Sequence, residues 1–448
     1  MTHHPLRTAL LDSRVPRYTS YPPANRFSAS VGPETVDRWL RALPDRDEVS
    51  LYVHVPFCRR LCWFCACRTQ GTRTDAPLDR YLDHLAMEIP AVRGRLPERL
   101  GISALHLGGG TPTLLSPERL DRLAAMLRGA FGAMEDAEVS AEIDPCECDD
   151  ARLDALARLG LSRASIGVQD FDPKVQAAIG REQPADITRA VVEGLRARGT
   201  TSVNFDLLYG LPYQTEPGIL ATLRTMLEMR PDRIALYGYA HVPWMARRQR
   251  LIPEDALPGA EERLALAAAA REVLTAEGYI AVGIDHYALP GEALAVAAER
   301  GEVRRNFQGY TTDRAETLIG FGPSAISRYR DGFAQNAPAT GDWQRSVAEG
   351  ILPTARGYAM DDADKLTAEA IERLMCDGRV DLSTLAARHG QPDEGLLRRA
   401  ARSIADLPGI GTLEGGVLTA SSSLYLRLLA ARLDPCFAPD AGRFSMAS

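Results

Sequence analysis

The chain has 448 residues, 45% of them hydrophobic and 25% charged, with a net charge of -7 and a pI near 5.7. That length holds one large domain and a smaller one, and the acidic balance excludes a globally basic nucleic-acid binder. No apolar run approaches the roughly 18 residues of a membrane-spanning helix, and the opening MTHHPLRTALLDSRVPRYTSYPP lacks the pattern of a signal peptide, so the cytoplasm is the expected compartment.

The first element is an arm, residues 1–48, carrying the Tyr- and Pro-rich stretch PRYTSYP from Pro16 to Pro22. Six strand-like stretches follow: LYVHV (Leu51–Val55), ALHLG (Ala104–Gly108), VSAEID (Val139–Asp144), RASIGVQ (Arg163–Gln169), SVNFDLLYG (Ser202–Gly210) and RIALYGYA (Arg233–Ala240). Helical stretches alternate with them. Ser116–Phe131 opens with an N-cap Ser and a Pro at the first helical position, and places Leu120, Leu123 and Leu127 on one face. Asp149–Leu159 and Asp186–Arg198 repeat the pattern, the second stopped by Gly199. Alternation of this kind predicts an α/β fold, an open six-stranded (β/α)6 partial barrel with its chemistry at the C-terminal ends of the strands.

This catalytic unit is expected to span residues 49–360, and residues 361–448 read differently. Helices over Asp364–Cys376, Ser383–His389 and Asp393–Ile404 precede a hairpin turning at Gly415-Gly416 and a helix ending near Arg432. The order is winged-helix-like, but 10 Lys and Arg against 13 Asp and Glu give this segment -3, which argues against duplex binding. It is read as a mainly helical cap.

Four of the eight cysteines fall in HVPFCRRLCWFCACR, His54 to Arg68, just past the first strand. In a reducing compartment such clusters are metal ligands or redox groups before they are disulfides. The spacing C-x3-C-x2-C at Cys58, Cys62 and Cys65 lets three thiolates each hold one iron of a four-iron cluster, leaving the fourth open. A tetrahedral zinc site remains an alternative, although Cys65 and Cys67 are awkwardly close for one ion, and so does a thioredoxin-like C-x2-C. Cys376 and Cys436 are expected to be buried apolar groups, whereas Cys146 and Cys148 have no functional reading.

The cysteine loop followed by GGGTPT (Gly108–Thr113) resembles the radical S-adenosylmethionine (SAM) enzymes. PRYTSYP, YVHVPFC, Cys67, AEIDP, GVQDF, REQ, FDLLYGLP, YAHVP and RNFQGYTT together resemble the oxygen-independent coproporphyrinogen III oxidase family, from about Arg14 to the C-terminal helices. The resemblance implies one 4Fe-4S cluster, a 5'-deoxyadenosyl radical made from SAM, and conversion of two substrate propionates to vinyls in anaerobic haem biosynthesis. Coproporphyrinogen III would be the substrate, with an electron-donating reductase or flavodoxin system as partner and a monomer as the working form. A haem-trafficking relative is the alternative, disfavoured because such relatives lack the PRYTSYP arm and Cys67.

Carried over by resemblance, the cluster ligands are Cys58, Cys62 and Cys65, and Cys67 is required in an unknown role. The family binds two SAM molecules: Tyr52, Gly109, Glu142 and Ile326 would hold the first, and Phe64, Gly110, Thr111, Gln169, Arg181, Asp206 and Ala240 the second. The residue chemistry suits this: glycines let backbone approach a ligand, carboxylates meet ammonium or ribose hydroxyl groups, and Arg181 meets a carboxylate. Taken singly, Glu142, Gln169 and Asp206 read better as strand-end polar groups satisfying a loop; the match to the family pattern at all three positions reverses that. For the four substrate carboxylates the candidate cations are Arg17, Arg304, Arg305, and Arg328 with Arg330, each of which also reads as a solvated surface group, Arg330 most of all, with Tyr18 and Tyr21 available to cover a macrocycle.

Overall fold

The computed structural model describes residues 13–437; the first twelve residues, read above for a signal peptide, and the last eleven lie outside it. The six expected strands are present: β1 (Glu48–Val55), β2 (Gly101–Gly109), β3 (Glu138–Ile143), β4 (Leu161–Gln169), β5 (Ser202–Tyr209) and β6 (Arg233–Gly238). Each is parallel to the next in chain order.

They do not stand alone, and here the sequence reading is corrected. Beyond β6 come the short strands β7 (Ile280–Val282) and β8 (His286–Ala288), and beyond β1 come β9 (Thr317–Phe321), β10 (Ile326–Tyr329), β11 (Gly332–Asn336) and β12 (Thr354–Ala359). The result is one 12-stranded mixed sheet, ordered β12-β11-β10-β9-β1-β2-β3-β4-β5-β6-β8-β7. β9 pairs parallel to β1, while β10, β11, β12, β7 and β8 join antiparallel. These strands escape pattern reading because they are short, and β9, β11 and β12 also contain a glycine; β11, GFAQN, is buried at every position and so shows no alternation.

Alternation along the six parallel strands creates two unlike faces. Val49, Leu51, Val53 and Val55 of β1, Leu105 and Leu107 of β2, and Val203, Phe205 and Leu207 of β5 are at most 2% exposed and belong to one core that also takes in Leu78, Leu82 and Leu85 of the helix Ala76–Arg93. Each such side chain contributes about 1.5–3 kcal/mol of burial. The intervening positions carry polar groups, among them Tyr52, His106, Glu142, Ser165 and Asp206, and face the other way. Helix signals hold where the sequence placed them: Ser116 Oγ accepts from Arg119 N, Asp149 Oδ1 from Arg152 N, and Gly199 sits at φ +88°.

The helices Asp362–Asp377, Leu382–Arg388, Glu394–Asp406 and Leu426–Leu433 enclose a second core with a hairpin turning at Gly415 and Gly416, both at positive φ. Val15, Tyr18 and Tyr21 of the arm belong to this core, at 3%, 3% and 5% exposure. Tyr18 Oη donates to Asp434. Burial thus commits both tyrosines to packing, although they also edge a cavity beside β10.

Candidate active site

The cysteine loop leaves the end of β1 through Phe57–Cys58, which pairs with Gln70–Gly71, so residues 59–69 project as a closed excursion. Trp63 N donates to Ile179 O at 2.9 Å and Gln249 Nε2 to Phe64 O at 2.7 Å, fixing the loop from both sides. Cys58 and Cys62 are buried, Cys65 is half-buried and Cys67 is exposed. Each of the three spaced sulfurs has a donor: Thr111 Oγ1 on Cys58 at 3.4 Å, Arg181 Nη1 on Cys62 at 3.5 Å, and Cys67 N on Cys65 at 3.4 Å. Burial raises the Cys58 thiol to about 11, whereas the Cys67 side chain and amide, against burial, bring Cys65 below the ordinary thiol value.

These thiols open onto a cavity of about 650 Å³ across the ends of the parallel strands. Among the described residues no three His, Cys, Asp or Glu side chains converge on a single-ion site. A donor set of three separated thiols, each already hydrogen-bonded, fits a multi-iron cluster, whose ligands bind different metals, better than one tetrahedral zinc. A second sign of a ligand is Arg181 Nε, a buried donor without a partner on a side chain that lines the cavity.

The same cavity is lined by Phe64, Gly109, Gly110, Thr111, Glu142, Gln169, Arg181, Asp206 and Ala240 as well as all four loop cysteines. Glu142 Oε2 accepts from Gly109 N at 3.0 Å, and His106 Nε2 lies 3.7 Å from Oε1. Burial works against its charge, yet His106 and the Gly109 amide hold the carboxyl below its ordinary range. Asp206 differs: burial lifts it to about 6, although Ser165 Oγ and Asn204 Nδ2 donate to it at 2.8 and 2.9 Å. Gln169 sits at φ +67° beside an irregularity in the β4–β5 register, a strained position that turns its side chain out of the regular alternation.

The glycines act through the protein as well as through any ligand. A Cβ on Gly110 would lie 2.6 Å from Phe57 O, and one on Gly109 would lie 2.6 Å from the His54 ring. Close approach of this turn to the cysteine loop is therefore what forbids a side chain.

Two expected residues lie elsewhere. Tyr52 does not line the cavity; its hydroxyl is 2.9 Å from His54 Nδ1 and its ring stacks on His106 at 5.8 Å, behind Glu142. Ile326 lines a neighbouring cavity of about 390 Å³ with Arg304, Arg305 and Arg328. Cys436 is exposed, against expectation, because it follows the last helix, while Cys376 is buried as expected.

Sequence reading missed His106, Ser165, Arg248 and Gln249. The first two stand on inward positions of β2 and β4, one residue out of phase with the core, which is the signal that finds them. Arg248 and Gln249 lie on the 3-10 segment Arg247–Leu251, which has no periodic pattern. Gln249 also donates to Ala240 O at 3.1 Å, so it latches the loop to the chain after β6.

The parallel α/β sheet, with a three-cysteine loop beyond β1 and a ligand-sized cavity over its strand ends, defines a radical SAM protein, and residues 52–226 match the Radical SAM superfamily. The chain is 51% identical over 392 residues to an oxygen-independent coproporphyrinogen III oxidase of Paracoccus denitrificans, covering 88% of this chain and 87% of that one. It is 47% identical to one of Cereibacter sphaeroides, covering 98% of each. The solved coproporphyrinogen III oxidase of Escherichia coli, described as a radical SAM enzyme, superimposes with a TM-score of 0.89 at 36% identity, covering 94% of this chain and 97% of that one. The chain belongs to the family of oxygen-independent coproporphyrinogen III oxidases.

Proposed function

We propose that this chain is the SAM-dependent oxidase that converts two propionates of coproporphyrinogen III to vinyls, giving protoporphyrinogen IX in anaerobic haem synthesis. Each propionate loses a hydrogen atom from its β carbon, then carbon dioxide and one electron. The observation that carries the reading is the convergence of the three-cysteine loop and the polar ends of β3, β4 and β5 on one cavity, in a chain of this family.

Cys58, Cys62 and Cys65 would hold a 4Fe-4S cluster, which with bound SAM supplies the 5'-deoxyadenosyl radical. Glu142, held ionised by His106 and the Gly109 amide, suits the ammonium of one SAM. Gln169, Arg181 and Asp206, on the β4 and β5 side of the same cavity, suit a second. Tyr52 acts from behind Glu142, and Ile326 from the neighbouring cavity. With SAM and substrate filling it, this cavity would keep water and oxygen from the reacting carbon. Cys67 orders the Cys65 sulfur through its backbone amide.

Polar side chains of β2 to β6 meet in a further cavity of about 210 Å³ below the site, which supports reading the parallel strands as a partly closed barrel. Residues 1–48, 49–360 and 361–448 are assigned as arm, catalytic unit and C-terminal helical cap. The enzyme is placed in the cytoplasm as a monomer fed by a reductase or flavodoxin system, with no nucleic-acid or membrane partner; no helix among the described residues is long and apolar enough to cross a membrane.

The test is anaerobic reconstitution with iron and sulfide, then dithionite, SAM and coproporphyrinogen III. Protoporphyrin fluorescence with 5'-deoxyadenosine is the expected result; stable haem capture without turnover would replace the reading with that of a trafficking protein.

A further inference from the structure

Two segments beside the cysteine loop share an unusual charge pattern. Residues 56–74 contain Arg59, Arg60, Arg68 and Arg73 and no acid, and residues 241–253 contain Arg247, Arg248 and Arg250 and no acid, in a chain whose net charge is -7. The fold brings the two together. Arg248 Nη2 donates to Thr69 Oγ1 at 2.8 Å and to Cys67 O at 3.4 Å, and Gln249 donates to Phe64 O. Arg14 of the arm adds a further cation, stacked on Trp244 at 5.2 Å.

Several of the nearby acids are already engaged, while Glu182 and Asp255 are exposed and hold no ion pair among the described residues. Asp75 pairs with Arg59 and Arg119, Asp144 lies within 4 Å of Arg60 and Arg181, and Glu254 is hydrogen-bonded to His241. By contrast Arg68, Arg73, Arg247 and Arg250 are exposed and form no ion pair among the described residues. The second segment also exposes two large apolar side chains, Met245 at 72%, at the edge of the 650 Å³ cavity, and Leu251 at 57%. Unpaired guanidinium groups and exposed apolar side chains on two segments that Arg248 and Gln249 tie together suit an acidic protein, because charge steers encounter while apolar side chains supply contact.

What lies beneath this surface decides the kind of protein. The stretch Cys65–Ala66–Cys67–Arg68 runs from a half-buried cysteine to exposed backbone, so a partner seated on the surface approaches the proposed cluster ligands along the chain itself. Resting on the functional reading above, we propose that Arg68, Arg73, Arg247 and Arg250, with Met245 and Leu251, form the docking surface for a small acidic one-electron carrier protein, such as a reduced flavoprotein, that delivers the electron to the cluster. One electron leaves the carrier's reduced flavin and enters the cluster, with no bond made or broken at the surface.

The test uses reconstituted full-length protein, flavodoxin hydroquinone as the probe, and dithionite as a reductant that needs no docking. The readout is bleaching of the cluster chromophore, which requires no substrate. In the fourfold variant R68E/R73E/R247E/R250E the second-order rate with flavodoxin should fall about 10- to 100-fold and lose its steep dependence on salt. Bleaching by dithionite should be unchanged. A flavodoxin rate equal to wild type overturns the proposal, and so does a parallel loss with dithionite, which would place the effect of these residues in the cluster itself. The substitution Met245→Ser offers an uncharged check: it should slow flavodoxin and leave both the salt dependence and dithionite reduction as in wild type. Failure of the functional reading is separable, because it appears as absent vinyl formation in wild-type protein that dithionite reduces normally.

Discussion

Arg181 Nη1 donates to the sulfur of Cys62 at 3.5 Å while its Nη2 donates to Gly167 O at 2.7 Å, so one buried guanidinium ties the cysteine loop to β4. A positive hydrogen-bond donor on a cluster sulfur raises the reduction potential. Arg181→Gln should make the midpoint more negative in a potentiometric titration and weaken SAM binding roughly 10-fold. A midpoint that stays put, or moves positive, would remove Arg181 from this role.

Gly110 faces Phe57 O with no room for a methyl group. Gly110→Ala should separate the GGGTPT turn from the cysteine loop and cut iron incorporation several-fold, costing about 1–3 kcal/mol of overpacking. Iron content after reconstitution, with thermal unfolding of the same sample, checks this.

Asp206 carries a half-buried carboxyl whose desolvation lifts it to about 6. Because the native state holds this proton more tightly than the unfolded chain does, the linked stabilisation is complete below the ordinary carboxyl value and is lost as pH rises through about 6. SAM affinity should move the opposite way, strengthening as Asp206 ionises to meet the ribose hydroxyls. Calorimetric titrations from acid to neutral pH measure it, and Asp206→Asn should flatten the dependence.

Arg17 is exposed into the large cavity and holds only Gly238 O, at 3.1 Å, among the described residues. Arg17→Ala should raise the KM for coproporphyrinogen about 10-fold through loss of a carboxylate partner, while 5'-deoxyadenosine formation without substrate is retained. Deleting the whole arm is a poorer probe, since Val15, Tyr18 and Tyr21 complete the C-terminal core.

Much of this architecture was legible in the sequence. The strand-then-helix order placed β1 to β6, and the end signals Ser116 and Gly199, with the leucine spacing after Asp149, placed the helices between them. The added strands were not legible: β7, β8 and β9 to β12 are three to six residues long, and it is their pairing that holds them. The same limit governs the cavity. Cys58 and Glu142 announce themselves by spacing and strand position, whereas Gln249, which locks Phe64 to Ala240, sits in an aperiodic segment far along the chain. The glycine turn was read as room for a ligand, and Phe57 and His54 add a demand for glycine of their own.

The central claim is a four-iron cluster on Cys58, Cys62 and Cys65, and the metal content of anaerobically reconstituted Cys62→Ser protein beside wild type tests it most directly. The account predicts iron in about a four-to-one ratio and a brown chromophore in wild type, with both lost in the variant along with vinyl formation. Zinc in the wild-type loop, or a variant that keeps chromophore and vinyl formation, would contradict it.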